Sequence, residues 1–237
     1  MKVGVLSDIH ANLPALESVL ADLGDVDALW VCGDTVGYGP DPSEVLALLN
    51  ERHATVVAGN HDRAVATGED LELFNEAAAA AATLHRGWLT EAERDALAAL
   101  PRTLETDDVT LCHGSLRDPL WEYVTNARAA AASLALARTA HCCAGHTHVP
   151  ALYPGDGTRV GQIRYEAAYP LGARSFFNPG SVGQPRDGDP RAAYAVVDPA
   201  AATVVFHRVA YPIETTQRRM HARRLPTILV ERLAFGL

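Results

Sequence analysis

Val3-Gly4-Val5-Leu6-Ser7-Asp8-Ile9-His10 opens the chain with a short apolar run that stops abruptly at Asp-x-His. Such a run, rich in valine and bounded by polar residues, predicts a strand buried on both faces, the kind found inside parallel sheets. The same rhythm then repeats. Leu16, Val19, Leu20 and Leu23 at helical spacing predict a helix from about Pro14 to Leu23. Ala28–Cys32 reads as a second buried strand, Pro42 to Glu51 as a second helix, and Thr55–Ala58 as a third strand. Strand–helix–strand–helix–strand with short connections builds βαβ units, hence a parallel or mixed buried sheet.

Further along, Arg63 to Leu100 is Ala-rich, with the run Ala77–Ala82 and no β-branched cluster. It predicts two or three helices ended by Pro101, covering a sheet face or capping a cleft. Val109–Cys112 and His141–Ala144 read as strands, with a helix over roughly Ala127–Thr139 between them. From Ala151 to Val209 the pattern turns to strands separated by Gly-Asp turns: Arg159–Tyr165, Ser175–Phe177, Ala192–Val197 and Thr203–Val209. This second set favours an α/β fold of four layers, an α/β/β/α sandwich of two mixed sheets flanked by helices, over one doubly wound sheet. No linker interrupts the chain, so residues 1–237 are expected to form one domain, with the helical segment 63–101 as its candidate cap. The basic stretch Arg218–Arg224 reads as a solvated or subunit-contact helix face.

Composition narrows the functional classes. The 237 residues are 48% hydrophobic and 21% charged, with 20 basic against 29 acidic side chains and a net charge of −9. Disordered, collagen-like and coiled-coil chains have other compositions. The acidic balance weighs against a surface that grips long nucleic acid or anionic lipid. Asp8 cuts the first apolar run too early for an export signal, and no stretch reads as a membrane span. Cys32, Cys112, Cys142 and Cys143, two of them adjacent, make a poor disulfide framework and are expected to be reduced in a cytoplasmic protein. An oligomer is left open. Dinucleotide-binding, P-loop and serine-hydrolase motifs are absent.

The chemistry lies at the strand ends. Leu6 is succeeded by Ser7-Asp8-Ile9-His10, Cys32 by Gly33-Asp34, Ala58 by Gly59-Asn60-His61-Asp62, Cys112 by His113-Gly114, and Ala144 by Gly145-His146-Thr147-His148. In open α/β sheets ligands bind beyond the carboxyl ends of the strands, so these side chains should converge. Asp8, His10, Asp34, Asn60, His113, His146 and His148 offer oxygen and imidazole donors without a thiolate. They are too many for one tetrahedral zinc and suit two divalent ions sharing a carboxylate. Extended backbone at Asp8-Ile9-His10 and His146-Thr147-His148 would put residues i and i+2 on the same side.

Taken in order, Asp8-x-His10, Gly33-Asp34, Gly59-Asn60-His61-Asp62, His113 and Gly145-His146-x-His148 resemble the five signature blocks of the calcineurin-like metallophosphoesterase superfamily. The resemblance runs from Met1 to about Asp198. Gly33–Pro42 and Asn178-Pro179-Gly180-Ser181-Val182-Gly183 look like its small prokaryotic phosphodiesterases, whereas Gly37-Tyr38 stands where the protein-phosphatase branch carries Asp-Arg. The resemblance implies that Asp8, His10, Asp34 and His148 ligate one metal, and that Asp34, Asn60, His113 and His146 ligate the other, with Asp34 bridging. It implies that His61 approaches the substrate, with Asp62 as the neighbour that orients it. Arg186 and Tyr38 are further candidates for substrate contacts, together with Asn60.

These roles imply hydrolysis of a P–O ester by in-line attack of a hydroxide shared between two divalent ions, with Mn²⁺ favoured and Fe, Zn or Ni compatible. Two ions, two carboxylates and the shared hydroxide leave about one positive charge, which suits a singly charged phosphodiester. The expected partner is a small-molecule or nucleotide phosphate ester. A phosphomonoesterase or dinucleoside-polyphosphate hydrolase would use the same centre, and a non-catalytic protein-binding scaffold is the alternative of another class. His85, His141, His207 and His221 have no motif around them and read as structural.

Overall fold

Val3 and Val5 point from the first strand into the space between two sheets, while Leu6 points outward to a helical layer. That alternation sets the architecture of the whole chain. The computed structural model describes residues 1–237, beginning with β1 (Val3–Leu6), α1 (Leu13–Leu23), β2 (Ala28–Val31), α2 (Pro42–Glu51) and β3 (Thr55–Val56). The Ala-rich stretch holds α3 (Asn60–Thr67), a 3-10 turn at Leu71–Leu73, α4 (Glu76–Trp88) and α5 (Glu91–Ala98). Next come β4 (Thr103–Glu105), β5 (Val109–Cys112), α6 (Ala127–Leu134), β6 (His141–Cys143), β7 (Ala151–Pro154), β8 (Ala168–Pro170) and β9 (Ser175–Asn178). The chain closes with β10 (Ala192–Asp198), β11 (Thr203–Val209), α7 (Ile213–Ala222), α8 (Thr227–Glu231) and a 3-10 turn at Arg232–Phe235.

Two mixed sheets result, ordered β3-β2-β1-β10-β11-β8 and β4-β5-β6-β9-β7. β1, β2 and β3 run parallel in the first, and β5, β6 and β9 in the second; antiparallel strands complete each. Between the sheets lie Val3, Val5, Trp30 and Phe206 from one side and Val109, Leu111, Leu152 and Phe177 from the other. On the outer face of the first sheet, Leu6, Leu29 and Val31 pack against Leu16, Val19 and Leu20 of α1 and Leu49 of α2. Cys142 and Phe176 of the second sheet pack against Ala130 and Leu134 of α6. Each such side chain, fully buried, contributes about 1.5–3 kcal/mol. The expected four layers are present, and the five motif-bearing loops all leave the carboxyl ends of parallel strands.

Three features differ most from the sequence reading. Arg159–Tyr165 is a loop, not a strand: Val160, Ile163 and Tyr165 dip into the inter-sheet core, and Val160 N–H bonds Leu152 C=O at 2.9 Å, but no ladder forms. The strands of that region are β7 and β8. Helix α6 stops at Leu134 instead of Thr139, where tighter bonds (Ala137 N–H to Leu134 C=O, 3.0 Å) end it and Arg174 donates to the carbonyls of Leu134 and Ala137. Finally, α3, α4 and α5 lie on no sheet face. They pack on the Val36–Tyr38 loop and against α7, α8 and the C-terminal turn.

The basic face of α7 is also engaged. Arg219 pairs with Asp41 at 2.8 Å and Arg223 with Glu44 at 3.7 Å, and the Arg223 guanidinium sits 4.9 Å from the Trp88 ring centre. No helix is long and apolar enough to cross a membrane.

His85 of α4 is buried and spans the Gly37–Gly39 turn. Its Nδ1 accepts from Gly37 N–H at 3.0 Å, so Nε2 carries the proton and donates to Gly39 C=O at 2.7 Å. Burial holds its pKa down at about 3, against an ordinary 6.5. As pH falls below 6.5 the unfolded chain takes up a proton that the folded chain refuses. The contribution is therefore full above that pH and is lost toward acid, at about 1 kcal/mol per pH unit. Urea unfolding between pH 6.5 and 5 should show a shallower acid slope for His85→Gln than for the wild type; equal slopes would exclude His85 as the source.

Candidate metal centre

Asp8 and His10 follow β1, Asp34 follows β2, Asn60 follows β3, His113 follows β5, and His146 and His148 follow β6, and all seven side chains are buried. They form two donor groups sharing one residue: Asp8, His10, Asp34 and His148, and Asp34, His113 and His146, with Asn60 Oδ1 3.1 Å from His113 Nε2 in the second. Asp34 Oδ2 lies 3.6 Å from His10 Nε2 and 3.3 Å from His113 Nε2, so one oxygen faces both groups. Asp8 Oδ1 is 3.2 Å from His148 Nε2.

The imidazoles are tethered from behind. His10 Nδ1 donates to Val36 C=O (3.0 Å), His113 Nδ1 to Cys32 C=O (2.8 Å), His148 Nδ1 to Gln184 C=O (2.5 Å) and His146 Nε2 to Trp121 C=O (3.2 Å). A nitrogen facing a carbonyl must carry the proton, so the other nitrogen of each neutral ring presents a lone pair inward. Inward nitrogens nevertheless meet at 3.2 Å for His10 and His148 and at 3.0 Å for His113 and His146. Facing lone pairs repel unless a proton or a metal ion lies between them. Donors around an ion with bonds near 2.1 Å stand about 3.0 to 3.4 Å apart, which these distances match. The residues present fit divalent ions.

Electrostatics agree. Burial opposes charge on Asp34, yet the neighbouring imidazoles, His113 first, hold its carboxyl well below the usual range. Burial likewise works against His113 protonation, and the Asp34 carboxylate overrides it, lifting the ring to about 10. The field at this point calls for positive charge. His10, His146 and His148 are lowered by burial, which favours the neutral form that can donate a lone pair.

The backbone here departs from the extended path expected for the Asp-x-His and His-x-His pairs. Asp8, His10, Asp34, His146 and His148 all have positive φ, from 49° to 66°. Left-handed residues alternating with Ile9 and Thr147 bring each pair to one side. The αL region costs an ordinary residue about 1–2 kcal/mol, and Asp and His tolerate it better than most. The Asn178–Gly183 loop holds the turns in place: Gly183 N–H donates to Asp8 C=O (2.9 Å), Ser181 Oγ to the same carbonyl (2.8 Å), and Asn178 Nδ2 to Gly145 C=O (2.6 Å). Gly59 permits a close approach to the carboxylate, since a Cβ there would lie 2.0 Å from Asp34 Oδ1.

His61 borders the centre. Its backbone N–H donates to Asp34 Oδ1 at 2.9 Å, its ring packs against Tyr38, His10 and Phe74, and its buried Nδ1 has no partner. Burial lowers its pKa to about 4. The expected Asp62–His61 side-chain pair is not formed. Asp62 instead accepts from Thr35 N–H (2.8 Å), Thr35 Oγ1 (2.7 Å), Val36 N–H (3.1 Å) and Gly59 N–H (2.9 Å), tying the loop after β2 to the loop after β3.

A cavity of about 120 Å³ opens on the centre and is lined by Asp34, Tyr38, Asn60, His61 and Arg186, with Phe74, Trp121 and Tyr123 as aromatic wall. Arg186 is braced by Gln184 Oε1 (2.8 Å to Nη2, 3.2 Å to Nε) and by Tyr38 OH at 3.4 Å, with Tyr123 also beside its guanidinium. Sequence reasoning missed Trp121, whose carbonyl fixes His146; Tyr123, stacked 3.8 Å from His146; and Phe74. No spacing signal marks them, because loops place them.

Comparison with known proteins agrees with this geometry. Residues 1–201 match the family model for the calcineurin-like phosphoesterase superfamily domain. An uncharacterised protein of Methanocaldococcus jannaschii is 31% identical over 99% of this chain and 98% of its own. Phosphodiesterase YfcE of Escherichia coli is 30% identical over 86% of this chain and 91% of its own. The crystal structure of a metallophosphoesterase from Sphaerobacter thermophilus superposes with a TM-score of 0.91 at 41% identity, covering both chains completely. With the signature blocks folded into one buried His/Asp cluster and the model matched along most of its length, the chain belongs to the calcineurin-like phosphoesterase superfamily.

Proposed function

We propose that this phosphoesterase is a dinuclear, metal-dependent phosphodiesterase acting on a small-molecule or nucleotide ester. The observation that carries the proposal is the position of Asp34 Oδ2, 3.6 Å from His10 Nε2 and 3.3 Å from His113 Nε2, where two ligand groups meet at one carboxylate. Asp8, His10, Asp34 and His148 would hold one ion, and Asp34, Asn60, His113 and His146 the other. Two such ions supply Lewis acidity toward phosphoryl oxygens and a water acidified for attack on phosphorus. Mixed nitrogen and oxygen donors are compatible with Mn²⁺, the ion favoured here, and also with Fe, Zn or Ni. Four unbridged, buried cysteines support a reducing, cytoplasmic setting.

The chain's own residues orient the ester. The Arg186 guanidinium, held at the cavity wall by Gln184, can pair with a non-bridging oxygen. His61 stands at the cavity wall, where its imidazole can stabilise charge on, or pass a proton to, the departing oxygen. Phe74, Trp121 and Tyr123 form apolar flanks that accept an organic substituent and supply no cation for a second ester charge. The 30% identity to a phosphodiesterase supports the diester preference.

On protein stripped and reloaded with Mn²⁺, bis(p-nitrophenyl) phosphate is expected to be cleaved faster than p-nitrophenyl phosphate. Faster monoester cleavage would overturn the diester reading. His61→Ala should lower kcat by about 10²- to 10⁴-fold while metal content measured by mass spectrometry stays unchanged. An unaffected kcat would remove His61 from the mechanism.

A further inference from the structure

Arg186 is the only arginine or lysine lining the metal-centre cavity, and the groups that hold it are neutral. Gln184 Oε1 accepts from its Nη2 at 2.8 Å and from its Nε at 3.2 Å, with the phenols of Tyr38 (3.4 Å) and Tyr123 beside it. The Tyr38 ring in turn lies 4.4 Å from the His61 ring and 4.5 Å from that of His10, so one side chain separates the guanidinium from the centre. Arg186 forms no ion pair with a carboxylate within 4.0 Å. Carboxylates are nevertheless close to it in the chain. Asp187 is taken by Arg208, and Asp189 by Arg191 at 2.6 Å, so both acidic residues of this loop are paired with other arginines.

Gln184 acts from its backbone and its side chain at once. The backbone serves the metal centre: Gln184 N–H donates to Ser181 Oγ (2.8 Å), whose hydroxyl donates to Asp8 C=O (2.8 Å), and Gln184 C=O accepts from His148 Nδ1 (2.5 Å). The side chain serves the cavity. It is 1% exposed, and its oxygen must be the atom facing the guanidinium, since an NH2 there would set donor against donor. Nε2 is then buried with no partner in the protein. A glutamate would accept from the same two nitrogens through a stronger, charge-assisted pair and would leave no donor unpaired. Holding Arg186 in place therefore does not account for the amide. Its neutrality does, because an amide fixes the guanidinium and leaves the charge uncompensated.

We propose that Gln184 is a positioning residue that fixes Arg186 at the cavity wall without neutralising it, so that the guanidinium meets a phosphoryl oxygen with its full positive charge. The inference rests on the phosphodiesterase reading of the cavity and adds that the acceptor at position 184 has to be uncharged. A carboxylate there would engage Nε and Nη2 as an ion pair and repel the ester anion as well.

The test measures binding of inorganic phosphate to Mn²⁺-loaded protein by calorimetric titration, with metal content read by mass spectrometry. Side-chain substitution spares the backbone groups that Gln184 gives to the centre, so Gln184→Glu and Gln184→Met should both keep wild-type metal content. Gln184→Glu retains the acceptor, yet it is expected to weaken phosphate binding about tenfold and to raise KM for bis(p-nitrophenyl) phosphate more than it lowers kcat. Gln184→Met, which releases Arg186, should weaken phosphate binding in the wild-type background and leave it nearly unchanged in the Arg186→Met background. Wild-type phosphate affinity in Gln184→Glu, or equal weakening by Gln184→Met with and without Arg186, would overturn the positioning role. So would loss of metal from both Gln184 variants, which would make the residue merely structural. Wild-type phosphate affinity in Arg186→Met, with diester cleavage intact, removes the positioning role and leaves the phosphodiesterase reading standing. The expected pattern of affinities without cleavage of any ester by the wild type removes that reading and keeps the positioning role.

Discussion

Gly59→Ala is expected to yield a folded protein that retains little or no metal and hydrolyses phosphate esters at least about 10²-fold more slowly than the wild type. The added methyl group would lie 2.0 Å from Asp34 Oδ1 and 2.3 Å from Asp34 N, well inside contact distance on both the carboxylate and its backbone. Asp34 cannot yield without loss, because Oδ1 is held by His61 N–H and Oδ2 is the atom shared by the two ligand groups. Gly59 is also the N-cap of α3, which carries Asn60 and His61, so a shift of its backbone moves a second candidate ligand. Metal content by mass spectrometry should therefore fall in Gly59→Ala as far as in Asp34→Ala. A fully loaded, active Gly59→Ala protein would contradict the shared-carboxylate geometry.

Asp62→Ala should be the most destabilising substitution near the centre that replaces no candidate metal ligand. The carboxylate is fully buried and accepts four hydrogen bonds, three of them from backbone N–H groups of Thr35, Val36 and Gly59. Its removal leaves those donors buried and unpaired, at about 1–3 kcal/mol each, less what local relaxation recovers. A total loss of about 3 kcal/mol is expected, lowering Tm by about 6–12 °C for a chain of this size. Asp62→Asn keeps one acceptor oxygen and should fall between. Metal affinity should weaken with stability, because the two loops joined by Asp62 carry Asp34 and Asn60. Wild-type Tm in Asp62→Ala would show that those bonds contribute nothing.

The behaviour of Asp62 also shows where sequence reasoning reaches its limit. His61 and Asp62 are neighbours in the chain, which suggested a carboxylate–imidazole pair. They sit, however, in the first turn of α3, where consecutive side chains project about 100° apart and do not face each other. The strand ends were legible because a buried strand leaves a strong apolar signal and a glycine followed by Asp, Asn or His is easily seen against it. The place of Asp34 between the two donor groups was legible through the family resemblance. The left-handed turns at Asp8, His10, His146 and His148 were not, since spacing alone cannot separate them from extended backbone. Trp121 acts through a carbonyl and Tyr123 through stacking, neither of which leaves a motif. Arg159–Tyr165 misled because apolar residues that plug a core from a loop resemble those of a strand.

The margins of the two sheets have a bearing on how copies of this chain can meet. Four strands lie at the rims: β3 with 2 residues, β8 with 3, β4 with 3 and β7 with 4. Two of them, β7 and β8, end in proline, at Pro154 and Pro170, which offers no N–H to a newcomer. A neighbouring chain seeking to extend either sheet finds at most a few main-chain groups to pair with, too few to seed a growing ribbon. Crowded or partly heated solutions should thus be guarded against fibril-like stacking by strand addition, and any assembly of subunits must be built from helical or loop surfaces.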